Sequence, residues 1–154
     1  MVAKQAVLDP AALSAEHRIF NHIKHALRVM VEWQAPAVSA SRKRSSVRFA
    51  LRSFCRHLER LMQFEEQGGY LPPVATARPN WERQLSHLRQ EHTDLRQRIN
   101  RLVPQLADED VWQSEKFDSA CAAIRQLLDE VDRHDRDERA LLQETLLWDE
   151  GGEG

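Results

Sequence analysis

The chain of 154 residues contains little of what a β-rich or a disulfide-bonded protein requires. It has only five glycines and six prolines, and no segment alternates Val, Ile or Thr with polar residues as a half-buried strand would. Its two cysteines, Cys55 and Cys121, are too few for a disulfide framework. Because long runs of Leu, Arg, Glu and Gln favour helix, the sequence predicts an all-α protein.

Long hydrophobic stretches and an excess of charge of one sign are also lacking. No apolar run approaches the roughly 18 residues of a membrane span, and the N-terminus has no signal-peptide hydrophobic region. The formal net charge is −2 with both signs interspersed, so we expect neither nucleic acid nor membrane as a partner. The basic cluster Arg42-Lys43-Arg44, followed by Arg48, indicates a solvated first helical turn rather than a phosphate-binding patch. These features favour a cytoplasmic protein.

Four amphipathic helices are indicated by apolar residues at steps of three and four and by start and stop signals. We predict the first from Asp9-Pro10 to about Trp33, the second from between Ser39 and Arg42 to Gly68-Gly69, the third from near Pro79-Asn80 to a point before Pro104, and the fourth from between Asp108 and Ser114 to about Trp148. Short links predict an up-down-up-down antiparallel four-helix bundle. Residues 1–154 are expected to form this single domain, with a core at about 9–149 and a short polar C-terminal tail.

Polar side chains interrupt the apolar stripe of each predicted helix. They are His17, Glu65, His92, His134 and Glu138, and their positions on the stripes predict that folding buries all five. Burying such groups without a partner costs several kcal/mol or shifts their pKa values until they are neutral, and a shared metal ion would remove that cost. Counting turns from the helix ends places all five in one half of the bundle. Mixed imidazole and carboxylate ligands suit iron or manganese better than a structural zinc; the alternative is a hydrogen-bonded polar layer without metal.

A weak internal repeat indicates a paired site. Leu13-Ser-Ala-Glu16-His17 matches Leu88-Arg-Gln-Glu91-His92, and each is followed one helix later by a glutamate on the stripe. The second half adds His134 four residues before Glu138, which places both side chains on one helical face. In the first half Leu61 takes the corresponding position and cannot ligate a metal.

The order and spacing of these motifs resemble a hemerythrin-like domain of the HHE cation-binding type. The residues that carry the resemblance are Glu-His on the first and third helices, Phe-Glu-Glu before Gly-Gly-Tyr-Leu at 64–71, and His134-x-x-x-Glu138-x-x-Leu-Leu-Gln followed by Asp149 and Gly151-Gly152. The resemblance covers about residues 13–152. It implies a non-haem di-iron centre in the bundle, with Glu65 and Glu138 as bridging carboxylates and His17, His92 and His134 as imidazole ligands.

Two leucines depart from the pattern of that family. Leu61 replaces the histidine expected four residues before the bridging glutamate, and Leu88 stands where oxygen-carrying members have a further histidine. His57 could replace the missing ligand at Leu61, but a helical turn is about 5.4 Å whereas a metal–nitrogen bond is about 2 Å, so the metal would have to move or a water would have to bridge. The other interpretation of His57 is a partly exposed imidazole at the bundle edge. His22, His25 and His87 are expected at the surface or its boundary.

No glycine-rich phosphate loop, nucleophile elbow or Cys-x-x-Cys pair indicates a competing catalytic site. We therefore expect a non-haem iron protein that binds or senses a small ligand such as O2 or nitric oxide. An alternative is redox chemistry or iron handling at the same site. A further alternative is a metal-free helical bundle that acts through protein partners.

Overall fold

A computed structural model describes residues 10–33, 40–67, 81–107 and 115–151, and these ranges form four helices. The helices are α1 (Pro10–Glu32), α2 (Ala40–Gln67), α3 (Glu82–Ala107) and α4 (Glu115–Gly151). Within these ranges there is no β-strand, so the prediction of an all-α protein is confirmed. None of the described helices combines the length and apolarity that are needed to span a bilayer.

Each helix packs against its neighbours in the order of the chain. Contacts join α1 to α2, α2 to α3, α3 to α4 and α4 back to α1. Sequential neighbours closing into a ring are what an up-down-up-down bundle requires. The predicted four-helix bundle is therefore confirmed, while the extent of the domain at 1–154 stays a prediction.

A polar layer separates two apolar clusters in the core. The larger cluster includes Phe20, Leu27, Val31, Val47, Leu51, Phe54, Leu58, Leu95, Leu102, Ile124, Leu128 and Val131, and the smaller one consists of Leu85, Leu88 and Leu141, with Trp81 packed against it. Along α3, buried His92 lies between the two clusters. Along α4, buried His134 and Glu138 lie between them as well. Apolar burial on both sides holds the polar side chains in place and excludes water from them.

The third helix does not end before Pro104, and this prediction was wrong. Helix α3 continues through Pro104 to Ala107. Proline removes one main-chain hydrogen bond and crowds the preceding turn, which is a cost that normally ends a helix. Here Leu102 and Leu106, on either side of the proline, are both buried in the core. Burial of these leucines offsets the cost and keeps the last turn helical.

Partly buried ion pairs join α1 to α4 near the polar layer. The Nζ atom of Lys24 lies 2.8 Å from Asp132 and 3.0 Å from Asp135, and Arg28 lies 2.8 Å from Asp132. Exposed pairs contribute little singly, but a network of several charges holds two helices in register more effectively. In the basic cluster, Lys43 Nζ donates a hydrogen bond to the carbonyl of Trp33 at 2.7 Å, which joins α2 to the end of α1.

Candidate metal centre

Four buried side chains from three helices converge in the polar layer. Glu65 comes from α2, His92 from α3, and His134 and Glu138 from α4; each is at most 4% exposed. One ligand atom of each lies within 4.8 Å of those of the other three. The Nε2 atom of His92 lies 3.0 Å from Glu65 Oε2 and 3.1 Å from the Nε2 atom of His134. Two ligands at right angles, each about 2.1 Å from a metal ion, would be about 3.0 Å apart, so these spacings suit metal binding.

Outer carboxylates orient both imidazoles. The Nδ1 atom of His92 lies 2.8 Å from Glu66 Oε1, and the Nδ1 atom of His134 lies 2.5 Å from Glu91 Oε2. An ionised carboxylate only accepts hydrogen bonds, so Nδ1 donates in each pair. The Nε2 atoms then point towards each other at the centre. Carboxylates that hold metal-binding histidines in this way are a common feature of metal sites.

The outer carboxylate Glu66 is itself held by an arginine. Arg96 donates from Nη1 and Nη2 to the two oxygens of Glu66, at 2.7 and 3.0 Å, and from Nε to Glu59 at 3.1 Å. Partial burial opposes ionisation of Glu66, but hydrogen bonds from Arg96 and His92 outweigh it and keep its pKa below the usual value. A chain of hydrogen bonds therefore runs from Arg96 through Glu66 to His92.

Without a cation, the centre is short of positive charge. Burial, together with the charge of Glu65, raises the pKa of Glu138 well above its usual value. Burial also opposes ionisation of Glu65, but hydrogen bonds from His92 and Glu138 outweigh it and lower its pKa. Burial opposes protonation of His92, yet Glu65 and Glu66 outweigh this effect and raise its pKa. The shifts favour the protonated forms of His92 and Glu138, and a bound metal ion would supply positive charge at the same side chains instead.

Two buried carboxylate oxygens are available as ligands for a cation. The Oε1 atoms of Glu65 and Glu138 are buried and have no hydrogen-bond partner in the described part of the chain. Leaving a buried acceptor unsatisfied costs about 1–3 kcal/mol, and more for a charged group. The pair of imidazole nitrogens and the two carboxylates therefore fit a metal ion that binds nitrogen and oxygen ligands.

Comparison with known families agrees with this arrangement. A family model described as the hemerythrin HHE cation binding domain matches residues 9–146. The chain belongs to this family. The resemblance expected from the sequence is thereby confirmed, and hemerythrin membership supports binding of a metal cation by the buried histidines and glutamates. Neither the comparison with curated proteins nor that with solved structures finds a match.

His17 lies at the margin of this hemerythrin centre. Its Nε2 atom is 3.6 Å from Glu65 Oε1, but its side chain is 35% exposed, so the prediction that it is buried was wrong. The reason is a cavity of about 200 Å³ that His17 lines together with Asn21, Asp135, Glu138 and Arg139. The structure therefore brings four of the five predicted ligands together and leaves His17 beside them. Metal ligation by any of the five stays a prediction.

The region around the missing ligand is apolar. Leu61 is 3% exposed and packs in the large cluster one turn before Glu65. Leu88, at the other departure from the family pattern, is also buried. His57 is half-buried and belongs to neither group of potential metal ligands found among the described residues. This arrangement does not support His57 as a substitute for the missing histidine.

Glu66, Glu91 and Arg96 were not predicted to have a role. A signal for the first two is present in the sequence, since each is adjacent to a predicted ligand, Glu65 or His92. The direction in which these two side chains point depends on how each helix is rotated about its axis. The spacing of residues along one helix does not specify that rotation. The Gly-Gly-Tyr-Leu part of the second motif and Gly152 of the last one lie outside the described residues.

Proposed function

We propose that this hemerythrin-domain protein holds non-haem iron between Glu65, His92, His134 and Glu138 and binds or senses a small ligand such as O2 or nitric oxide there. The observation that carries the proposal is the pair of buried imidazoles whose Nδ1 atoms are held by Glu66 and Glu91, at 2.8 and 2.5 Å. Both Nε2 atoms are thereby presented to the same small volume as two carboxylates.

Unequal metal positions are part of this proposal. His92, His134 and Glu138 provide two nitrogen ligands and one carboxylate, and they form the tighter position. A second iron, which the family resemblance implies, would depend on Glu65 and on the half-exposed His17. Leu61 provides no ligand there and is itself buried in the apolar core. We therefore expect iron occupancy below two per chain, or two positions of unequal affinity.

A cavity at the margin of this centre favours access by a small ligand. It has a volume of about 200 Å³ and is lined by His17, Asn21, Asp135, Glu138 and Arg139. Asp135 is paired with Lys24 at 3.0 Å, so an ion pair between α1 and α4 lies at this cavity. Bound iron would supply open coordination positions for the ligand. The protein residues orient the metal ligands, exclude bulk water on the core side, and line the adjacent cavity with His17 and Arg139.

The test is to load the protein with Fe²⁺ under anaerobic conditions, measure iron per chain, and record absorption spectra before and after addition of nitric oxide or O2. We expect retained iron and a new absorption band with at least one of the two ligands. Protein that holds iron but responds to neither would contradict ligand binding. Sustained consumption of peroxide or nitric oxide would favour the alternative of a redox enzyme, and absence of bound iron would favour a metal-free bundle.

We also propose a cytoplasmic location, with a small ligand but neither nucleic acid nor a membrane as a partner; a protein partner is not identified. Cys55 and Cys121 are both free and buried, which fits a reducing compartment. Burial raises the pKa of the Cys55 thiol to about 11, so this group stays protonated and slow to oxidise at neutral pH. Fractionation of cells that express the full chain would test the location.

A further inference from the structure

A second group of potential metal ligands lies on the outer face of α3 and α4. His87 and Glu91 are one turn apart on α3, and Asp137 precedes Glu138 on α4. One ligand atom of each lies within 4.8 Å of those of the other two. We propose that His87, Glu91 and Asp137 form an outer binding site for a divalent cation, separate from the buried centre.

The spacing within this group suits a metal ion. The Nε2 atom of His87 lies 3.0 Å from Glu91 Oε1. Two ligand atoms at right angles, each about 2.1 Å from a metal, would have this separation. A cation at this site would be held by Nε2 of His87, an oxygen of Glu91 and an oxygen of Asp137.

Adjacent space allows water to complete the coordination shell. A cavity of about 470 Å³ lies beside His87 and Asp137, with Leu88 and Leu141 among its lining residues. Asp137 and Glu144 supply negative charge on its wall, against the single positive charge of Arg83. One imidazole with carboxylates and water suits Mn²⁺, Fe²⁺ or Zn²⁺ rather than a soft ion that requires thiolates.

Glu91 connects the outer site to the buried centre. Its Oε1 atom faces His87, while its Oε2 atom lies 2.5 Å from the Nδ1 atom of His134. The side chain of Glu91 is only 17% exposed, and each of its two oxygens contacts a histidine, so the carboxylate is held on both sides. A cation at the outer site would withdraw electron density from the carboxylate that orients His134. The outer ion would therefore affect the buried metal, and the buried metal would affect the outer ion by the same factor.

The experiment is a titration of the iron-loaded protein with MnCl2, in which the electron paramagnetic resonance signal of free Mn²⁺ is measured. Mn²⁺ that enters a position left open in the buried centre would not depend on His87 or Asp137, so we expect at least one Mn²⁺ per chain whose binding does depend on these two residues. His87→Ala and Asp137→Asn should each weaken Mn²⁺ binding about tenfold or more. Asp137 is exposed, so Asp137→Asn should leave iron content and melting temperature unchanged, whereas His87→Ala also removes a partner of Glu91 and its iron content is compared with that of the wild type.

Matched controls are His25→Ala on α1 and Asp94→Asn on α3, which remove an exposed imidazole and an exposed carboxylate elsewhere. These variants should bind Mn²⁺ as the wild type does. No Mn²⁺ binding at millimolar concentration, or equal binding by the His87→Ala and Asp137→Asn variants, would overturn the proposal. Iron is measured in the same samples, so loss of the buried site is seen separately from failure of the outer one.

Discussion

On one side of the metal centre, His92 of α3 and His134 of α4 each have a carboxylate at Nδ1, so both rings are held with Nε2 facing inwards. On the side of α1 and α2, the structure offers the half-exposed His17, whose Nε2 atom is 3.6 Å from Glu65, and the apolar Leu61. The two sides therefore differ in how many ligands they supply and in how firmly those ligands are held.

The comparison shows where affinity for the metal should reside. A side chain that is already fixed loses little conformational freedom when it binds an ion, whereas a mobile one loses more. His92 and His134 are fixed by outer hydrogen bonds and by burial, and His17 has neither advantage. The sequence motif around His17 repeats the one around His92, but the surroundings of the two imidazoles are not equivalent.

The largest difference should appear when one histidine is removed from each side. His134→Ala deletes an imidazole and leaves Glu91 without its inner partner, so we expect loss of most bound iron. His17→Ala should retain iron at the tighter position, because the four buried ligands remain in place. Iron per chain and the absorption spectrum measure both variants after identical loading.

The matched control for this pair is His25→Ala, which removes an exposed imidazole from α1. It should hold as much iron as the wild type. Unchanged iron content in the His134→Ala variant would show that the tighter position is assigned to the wrong side. A larger loss in His17→Ala than in His134→Ala would reverse the comparison.

Removal of the metal should lower the stability of the whole bundle and loosen the polar layer first. An ion that binds only the folded state stabilises it by about 2.7 kcal/mol when its free concentration is a hundredfold above its dissociation constant. Without it, Glu65 and Glu138 have one buried oxygen each with no hydrogen-bond partner among the described residues. Thermal unfolding of iron-loaded and chelator-treated protein at the same pH measures the difference.

Hydrogen exchange of the same two samples locates the effect. We expect faster exchange around His92 and His134 in the chelated protein than in the apolar region around Phe54 and Ile124, which are fully buried. Identical melting curves, with loss of metal verified by elemental analysis, would instead support a hydrogen-bonded polar layer that needs no ion.

A smaller effect is expected from loosening one outer hydrogen bond while every predicted ligand is kept. Glu66→Gln weakens the acceptor for His92 Nδ1 and removes one of the two charged partners of Arg96. Loss of such an outer partner typically lowers metal affinity about 10- to 100-fold. Competition with a chelator of known affinity measures the change.

Glu59→Gln is the control for Glu66→Gln, because Glu59 also accepts from Arg96 but has no hydrogen bond to either imidazole of the centre. We expect its metal affinity to stay close to that of the wild type. Equal affinities in the two variants would mean that the orientation of His92 does not depend on its outer carboxylate.

Much of the fold and the centre of the site could be predicted from the sequence because both depend on spacing along single helices. Apolar residues at steps of three and four indicate which face is buried, and Glu65, His92, His134 and Glu138 interrupt those faces and are buried in the structure. A buried polar residue on an otherwise apolar stripe is therefore a strong signal, since chance burial would be costly.

Features that depend on neighbouring helices could not be predicted in the same way. His17 occupies a stripe position on α1, yet a cavity beside α4 leaves it half-exposed. The prediction that Pro104 ends α3 considered only local backbone chemistry, whereas burial of Leu102 and Leu106 keeps the helix intact. The pairing of Glu66 with His92 joins two helices, and the rotation of α2 against α3 is not encoded in the spacing of either one.

The smallest and most specific change concerns Leu61. Leu61→His introduces an imidazole one turn before Glu65, on the side of the centre that lacks ligands, so iron occupancy should rise towards two per chain. Without metal the variant should be less stable than the wild type, because a 3% exposed apolar side chain is replaced by a polar one that has no assigned partner. That cost is about 1–3 kcal/mol. Iron stoichiometry and melting temperature, each measured with and without iron, provide the test.

His57→Ala in the wild-type background completes this experiment, because His57 is the only histidine of wild-type α2. We expect no change in iron content, since His57 is outside the groups of potential ligands among the described residues. A wild-type protein that holds two irons firmly, gains nothing from Leu61→His and loses one iron in His57→Ala would show that His57 reaches the metal after all. In that case the two sides of the centre would be equally supplied with ligands, and the difference between them would lie only in how those ligands are held.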